Sequence, residues 1–142
     1  MKTLTILFAL ISTAAVAQTD EQEVKKVITS AYIDGIHNNG PIENIRKGFH
    51  PAFIMFRLIE NDAKPLTIEE WIKNIEASRA KNPQATVSKA EGKFVSVTIA
   101  GTSANVVLEL SRDGKKIFTD NLLLYKFNEG WRIVGKTFYR YP

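Results

Sequence analysis

The segment 115-KKIFTDNLLLYKFNEGWRIVGKTFYRYP-142 leaves the chain little choice of structure. It is dense in branched and aromatic residues, which suit a pleated, half-buried surface. Asp113–Gly114 ahead of it offers both positive-φ positions of a type I′ turn, and 128-NEG-130 fits a three-residue hairpin loop with Gly130 in the left-handed position. Strands are therefore expected at about 104–111, 115–127 and 131–140, folded back on one another as antiparallel hairpins. A few charged side chains sit among the large apolar ones, which suggests a bent sheet enclosing something partly polar.

Pairing Phe127 with Trp131 across the second loop predicts Leu124 opposite Val134, Leu122 opposite Lys136 and Asp120 opposite Phe138. Pairing Arg112 with Lys115 across the first predicts Glu109 opposite Phe118 and Val107 opposite Asp120. One face then carries Val107, Glu109, Phe118, Asp120, Leu122, Leu124, Val134, Lys136 and Phe138. The other carries Leu108, Leu110, Ile117, Thr119, Asn121, Leu123, Tyr125, Phe127, Trp131, Ile133 and Tyr139. Both are too apolar for an ordinary solvent face. The charged one is expected to line a pocket under helices and the other to meet a second copy of the chain. A single bulge would exchange the faces beyond it.

Upstream, Val24, Val27, Ile28, Ala31 and Tyr32 recur at helical steps and predict a helix from about Glu21 to His37. Within 38-NNGP-41, Gly40 is expected to take a left-handed cap and Pro41 to open a short helix over 42–47, stopped by Gly48. A strand is expected at 53-FIMFRLI-59 and a turn at 60-ENDAKP-65. Thr67 and Glu70 then form a capping box for a helix over 67–81. Further strands are read at about 85–91 and 93–100, with turns at Glu91–Gly92 and Gly101–Thr102.

Residues 1–17, MKTLTILFALISTAAVA, follow a secretory signal pattern with cleavage expected between Ala17 and Gln18, and their apolar run is far shorter than the roughly 20 residues that span a bilayer. Removing them leaves residues 18–142 as one domain, expected in the periplasm or outside the cell. No cysteine is present, so disulfides and thiolate chemistry are excluded. The net charge of +4 comes from scattered basic residues without a nucleic-acid motif. Two separated histidines and no carboxylate cluster predict no metal site, and no glycine-rich phosphate loop or nucleophile elbow points to a cofactor.

Taken together, 24-VKKVITSAYIDGIHNNGPIENIRKGFHPAFIMF-56, 66-LTIEEWIKNI-75 and 119-TDNLLLYKFNEGWRIVGKTFY-139 resemble the putative lumazine-binding family of the nuclear transport factor 2-like (NTF2-like) superfamily. The resemblance spans nearly the whole chain after the leader. It implies an α+β, cone-shaped NTF2-like (cystatin-like) fold, with N-terminal helices on a strongly curved antiparallel sheet, a cavity between the layers and frequent dimerisation through the sheet. Relatives often carry an aromatic residue where this chain has Asn121, a position the register puts on the dimer side.

Candidate chemistry rests on few residues. Asp120 and Lys136 lie on a diagonal of neighbouring strands, as an internal ion pair or as a proton acceptor beside a cation that stabilises negative charge. Glu109 is a second acid. His50 is either a brace for its loop or a ligand contact at the cavity mouth, whereas His37 is a favourable residue at a helix end. Tyr32, Phe53, Met55, Phe56, Trp71 and Phe138 are the expected lining for a planar ligand, or simply core. The leading function is an exported small-molecule-binding domain of unidentified ligand. The alternatives are a cofactor-independent isomerase, dehydratase or cyclase, and a module that assembles through its sheet.

Overall fold

The computed structural model describes the backbone of residues 9–142 and the side chains of residues 18–142. The leader expected over 1–17 thus lies outside the fully described residues. Helix α1 (Ala9–Val27) runs without a break into a π-helical segment (Ile28–His37), followed by α2 (Ile42–Gly48), β1 (Phe49–Ile59), β2 (Asp62–Thr67), α3 (Ile68–Lys81), β3 (Ala90–Ala100), β4 (Ser103–Arg112), β5 (Lys115–Phe127) and β6 (Gly130–Arg140). Val24, Ile28, Ala31 and Tyr32 are fully buried on the stripe that the helical periodicity marked.

Helix α3 begins as its sequence demands. Thr67 Oγ1 accepts from the Glu70 amide at 3.3 Å, and Glu70 Oε2 accepts from the Thr67 amide at 2.9 Å, which completes the capping box. Other boundaries differ from expectation. Asn39, not Gly40, takes the left-handed conformation (φ 56°), while the Gly40 amide donates to Asp34 O at 2.9 Å. The 60–65 turn shrinks to Glu60–Asn61, both at positive φ, and Asp62–Thr67 becomes a strand. Pro65 is tolerated there because β2 is at the edge of the sheet.

The turn expected at Glu91–Gly92 does not exist, and neither does the strand at 85–91. A single strand, β3, runs through both residues. Gly92 is a point of close approach: a Cβ there would lie 2.3 Å from Ile33 Cδ1, so any larger residue would require the Ile33 side chain to shift.

The six strands form one sheet in the order β2-β1-β6-β5-β4-β3. It is mixed and not purely antiparallel as expected, because β1 pairs parallel with β6. The long excursion between them, through α3 and four strands, permits that pairing. Two bulges then set which residues face the helices. Leu110 pairs with Phe118 while Ser111 pairs with Lys116, leaving Ile117 as the extra residue in β5. Leu123 pairs with Gly135 while Leu124 pairs with Ile133, leaving Val134 as the extra residue in β6.

The consequences differ between the hairpins. In β5–β6 the loop is one residue tighter than expected, with Phe127 opposite Gly130, and the bulge at Val134 restores the expected pairs Leu122–Lys136 and Asp120–Phe138. Trp131 and Ile133 consequently face inward and are buried, not on the outer face. In β4–β5 the bulge moves Leu108 opposite Asp120, so Leu108 and Leu110 are fully buried, and Val107 and Glu109 turn outward. Bulges also bend and twist the strands that carry them, which curls the sheet around the helices.

Candidate functional site

At the centre of the cone a carboxylate is shared between two elements. Asp120 on β5 and Tyr32 on the π-helical segment are completely buried, and the Tyr32 hydroxyl donates to Asp120 Oδ2 at 2.8 Å. Lys136 on β6 is 5% exposed, and its Nζ lies 2.7 Å from Asp120 Oδ1. That approach falls outside hydrogen-bond geometry, so Oδ1 holds its lysine through charge and lacks a directed donor. Nζ also points to Met55 Sδ at 3.9 Å.

Rings enclose the ammonium. Nζ is 4.1 Å from the centroid of Phe138, 5.1 Å from Tyr32, and 5.7 Å from both Trp71 and Phe118. Their π faces recover part of the solvation that burial removes. Phe49 and Phe53 continue the cluster, with Phe53 stacked on Trp71 at 6.1 Å. Burial dominates the titration of the charged groups: it pushes Asp120 up against the opposing pull of Lys136 and Tyr32, and draws Lys136 down against the pull of Asp120. Tyr32 is raised well above the usual phenol value, first by burial and then by Asp120.

His37 joins this cluster, a role its sequence position at a helix end did not suggest. Its ring meets Tyr32 edge-on at 4.8 Å and Phe118 at 5.8 Å. In an α-helix residues five apart point about 140° away from each other; the i→i+5 bonding of a π-helix brings them onto one face. A ten-residue π segment cannot be read from side-chain periodicity alone, which is why Tyr32 and His37 seemed unrelated. Burial, then Lys136 and Arg112, lower the His37 pKa to about 3, so its imidazole is neutral. Its Nε2 is buried without a partner.

Other candidates lie elsewhere. Phe56 follows Met55 in β1 and, because neighbouring strand residues point to opposite faces, sits on the outer face at 46% exposure. Glu109 is also outside, where Lys116 Nζ donates to it at 2.6 Å and holds its carboxyl below the usual range. His50 lies at the start of β1 and braces it locally: its Nδ1 accepts from the Ala52 amide at 3.1 Å, and its ring stacks on Phe127 at 4.6 Å. Phe127 is seven residues from Asp120 along β5, about 20 Å at strand spacing.

Tyr32, Phe49, Phe53, Leu108, Leu110 and Leu122 are packed in the buried core of the cone. Two depressions lie away from it. One, of about 370 Å³, lies on the outer sheet face over Ile54, Phe56, Asn121 and Leu123; the other, of about 270 Å³, lies by Arg79 and Asn82. The cone reaches the surface where His37, Trp71, Phe118 and Phe138 are each partly exposed. Among the described residues no cluster of three or more potential metal ligands occurs, and no helix is long and apolar enough to cross a membrane.

The sequence matches a family described as Putative lumazine-binding over residues 13–139. No functionally curated protein matches it. Among solved structures it is similar to an NTF2-like protein of unknown function from Shewanella baltica OS155, with 19% identity and a TM-score of 0.71 over 88% of this chain and 96% of that one. It is also similar to an NTF2-like protein of unknown function from Methylobacillus flagellatus KT, with 20% identity and a TM-score of 0.64 over 87% and 94%. A domain of unknown function with a cystatin-like fold from Nostoc punctiforme PCC 73102 shares 18% identity and a TM-score of 0.63 over 87% and 78%. At such identities the likeness is one of fold, and the fold is the cone-shaped α+β one expected.

Two stability measurements probe the cluster. Lys136→Met strands the Asp120 charge and is expected to cost about 3–5 kcal/mol in urea unfolding, whereas the double variant Lys136→Met, Asp120→Asn recovers much of that loss. The second is pH dependence. The folded pKa of His37, about 3, lies below its unfolded value, so the unfolded chain binds the extra proton and stability falls as pH drops below 6.5. Between pH 6.5 and 4.5 this group alone accounts for about 2–3 kcal/mol. His37→Gln is expected to flatten the urea-midpoint profile by that amount relative to the parent protein.

Proposed function

The chain belongs to the Putative lumazine-binding family, and on that premise we propose that it is an exported small-molecule-binding domain whose ligand settles at the ring-lined mouth of the cone. The observation that carries this reading is the enclosed Asp120–Lys136–Tyr32 cluster, walled by aromatic rings of which Trp71, Phe118 and Phe138 still reach the surface. Rings of that kind offer flat apolar contact, while a few fixed polar groups behind them set orientation. An acid–base enzyme is the weaker reading. Asp120 is already committed to a lysine and a tyrosine, and His50 and Glu109 are remote from it.

Mass spectrometry of the purified protein after denaturation is expected to release a near-stoichiometric small molecule, and adding that molecule back is expected to change the emission of Trp71. A preparation with no bound molecule, whose tryptophan emission is indifferent to a broad set of planar compounds, would exclude the reading.

The outer face supports a second element of the proposal, a homodimer through the sheet. Ile54, Phe56, Leu123, Tyr125 and Tyr139 are between 37% and 59% exposed on it, an apolar area uncommon on a lone monomer. Tyr125→Lys is expected to convert a dimer to a monomer in sedimentation while leaving the circular dichroism unchanged. A parent protein that sediments as a monomer removes this element.

A further inference from the structure

The depression of about 370 Å³ on the outer face of the sheet is lined in part by Gly135 of β6. Gly135 pairs with Leu123 on one side and Ile54 on the other, so a side chain at this position would stand between theirs, in the middle of the hollow. Its backbone is outside the left-handed region, and a Cβ on it would meet nothing nearer than Leu123 Cδ1, at an ordinary contact distance of 3.4 Å. Neither conformation nor packing therefore demands glycine here, in contrast to Gly92 against Ile33. Glycine inside a strand weakens it, and it often marks a place where a ligand approaches closely.

The walls divide by chemistry. Ile54, Phe56 and Leu123 give apolar surface, and Phe56 has no other ring against it among the described residues. Asn105, Asn121 and Thr137 give exposed polar side chains that have no hydrogen-bond partner among the described residues. Thr137 stands opposite Asn121 and Asn105 opposite Leu123, which puts the polar groups on two adjoining rows of the face. Lys136 is the one charged residue at the hollow, and its ammonium lies on the other side of the sheet with Asp120. No charged group faces the hollow.

Carboxamides and hydroxyls each offer both donors and acceptors, and hydroxyls of a ligand answer them in kind. A carboxylate only accepts and an ammonium only donates, and neither finds an opposite charge here. We propose that the depression binds a neutral sugar ring. Its hydroxyls exchange hydrogen bonds with Asn105, Asn121 and Thr137, and its C–H face lies on Phe56 over the gap that Gly135 leaves. The volume falls within the range of small-molecule sites, roughly 300–1,000 Å³. This second site is on the opposite side of the sheet from the cone and does not depend on the ligand proposed there.

Three methyl glycosides, the β-glucopyranoside, β-galactopyranoside and α-mannopyranoside, test it against the ¹H–¹⁵N signals of the Asn105 and Asn121 carboxamides. Cyclohexylmethanol serves as a ring without the polyol. At least one glycoside is expected to shift both carboxamides saturably, and cyclohexylmethanol to shift neither. Gly135→Val is expected to abolish the shift while keeping the parent's melting temperature, because valine suits a strand better than glycine. Asn121→Leu, at an exposed position, is expected to weaken binding at least about tenfold, and it decides the matter if Gly135→Val does not fold. The proposed dimer uses the same face, so each titration is run on the parent and on Tyr125→Lys. Binding by either protein supports the site. If no glycoside shifts the carboxamides in either, if cyclohexylmethanol shifts them equally, or if both the folded Gly135→Val and Asn121→Leu bind as the parent does, the sugar site is overturned. A glycoside that moves only the His37 imidazole signals lies in the cone, which overturns the outer site and leaves the reading of the cone standing.

Discussion

The Asp120 carboxylate ties the two layers of this molecule together. One oxygen takes the Tyr32 hydroxyl from the helical layer and the other takes the Lys136 charge from the neighbouring strand, all without solvent. Removing an ion from water costs several kcal/mol even after the protein relaxes, so this group is tolerable only when both partners arrive. Helix docking and strand register are consequently coupled. A β6 slipped by one residue turns Lys136 to the outer face, and a helix rotated away withdraws Tyr32. Such a group adds little to net stability and much to the penalty on alternative arrangements.

The residues that announced themselves in the sequence are those whose structure depends on near neighbours. The Thr67–Glu70 capping box, the Asp113–Gly114 turn and the helical stripe from Val24 to Tyr32 all involve groups a few positions apart. The juxtaposition of Asp120 and Lys136 was also legible, because two offsets in β5–β6 cancel before reaching it: a tighter loop and the extra residue Val134. Nothing cancels the bulge at Ile117, and Leu108 and Glu109 exchanged faces as a result. Bulges arise from the curvature demanded by the helices inside the cone, a property of the assembled layers that strand periodicity does not encode. Gly92 makes the same point, since its need is set by Ile33, far away in sequence.

His37 was illegible for a different reason. Its place beside Tyr32 requires a helix wound with one extra residue per turn, and π segments of this length have no compositional mark. The underwound turn has a cost in backbone geometry, and π insertions in helices are often retained at functional positions. Here the distortion brings an imidazole with an unpartnered nitrogen against Tyr32 and Phe118.

The distribution of unsatisfied groups then separates architecture from site. At the closed end, the Tyr32 hydroxyl, the Lys136 ammonium and the surrounding rings answer one another, as the interior of a stable domain requires. Around His37 the local rules are broken together: its Nε2 lacks a partner, Arg79 and Arg112 have no carboxylate at ion-pair distance among the described residues, and the helix is underwound. A sequence selected for stability alone would relieve these conflicts with a carboxylate near Arg112 or an apolar residue at position 37. Natural proteins break one or two such rules at functional or strained sites, and in this chain the breaks gather around His37, next to the buried ion pair and its rings.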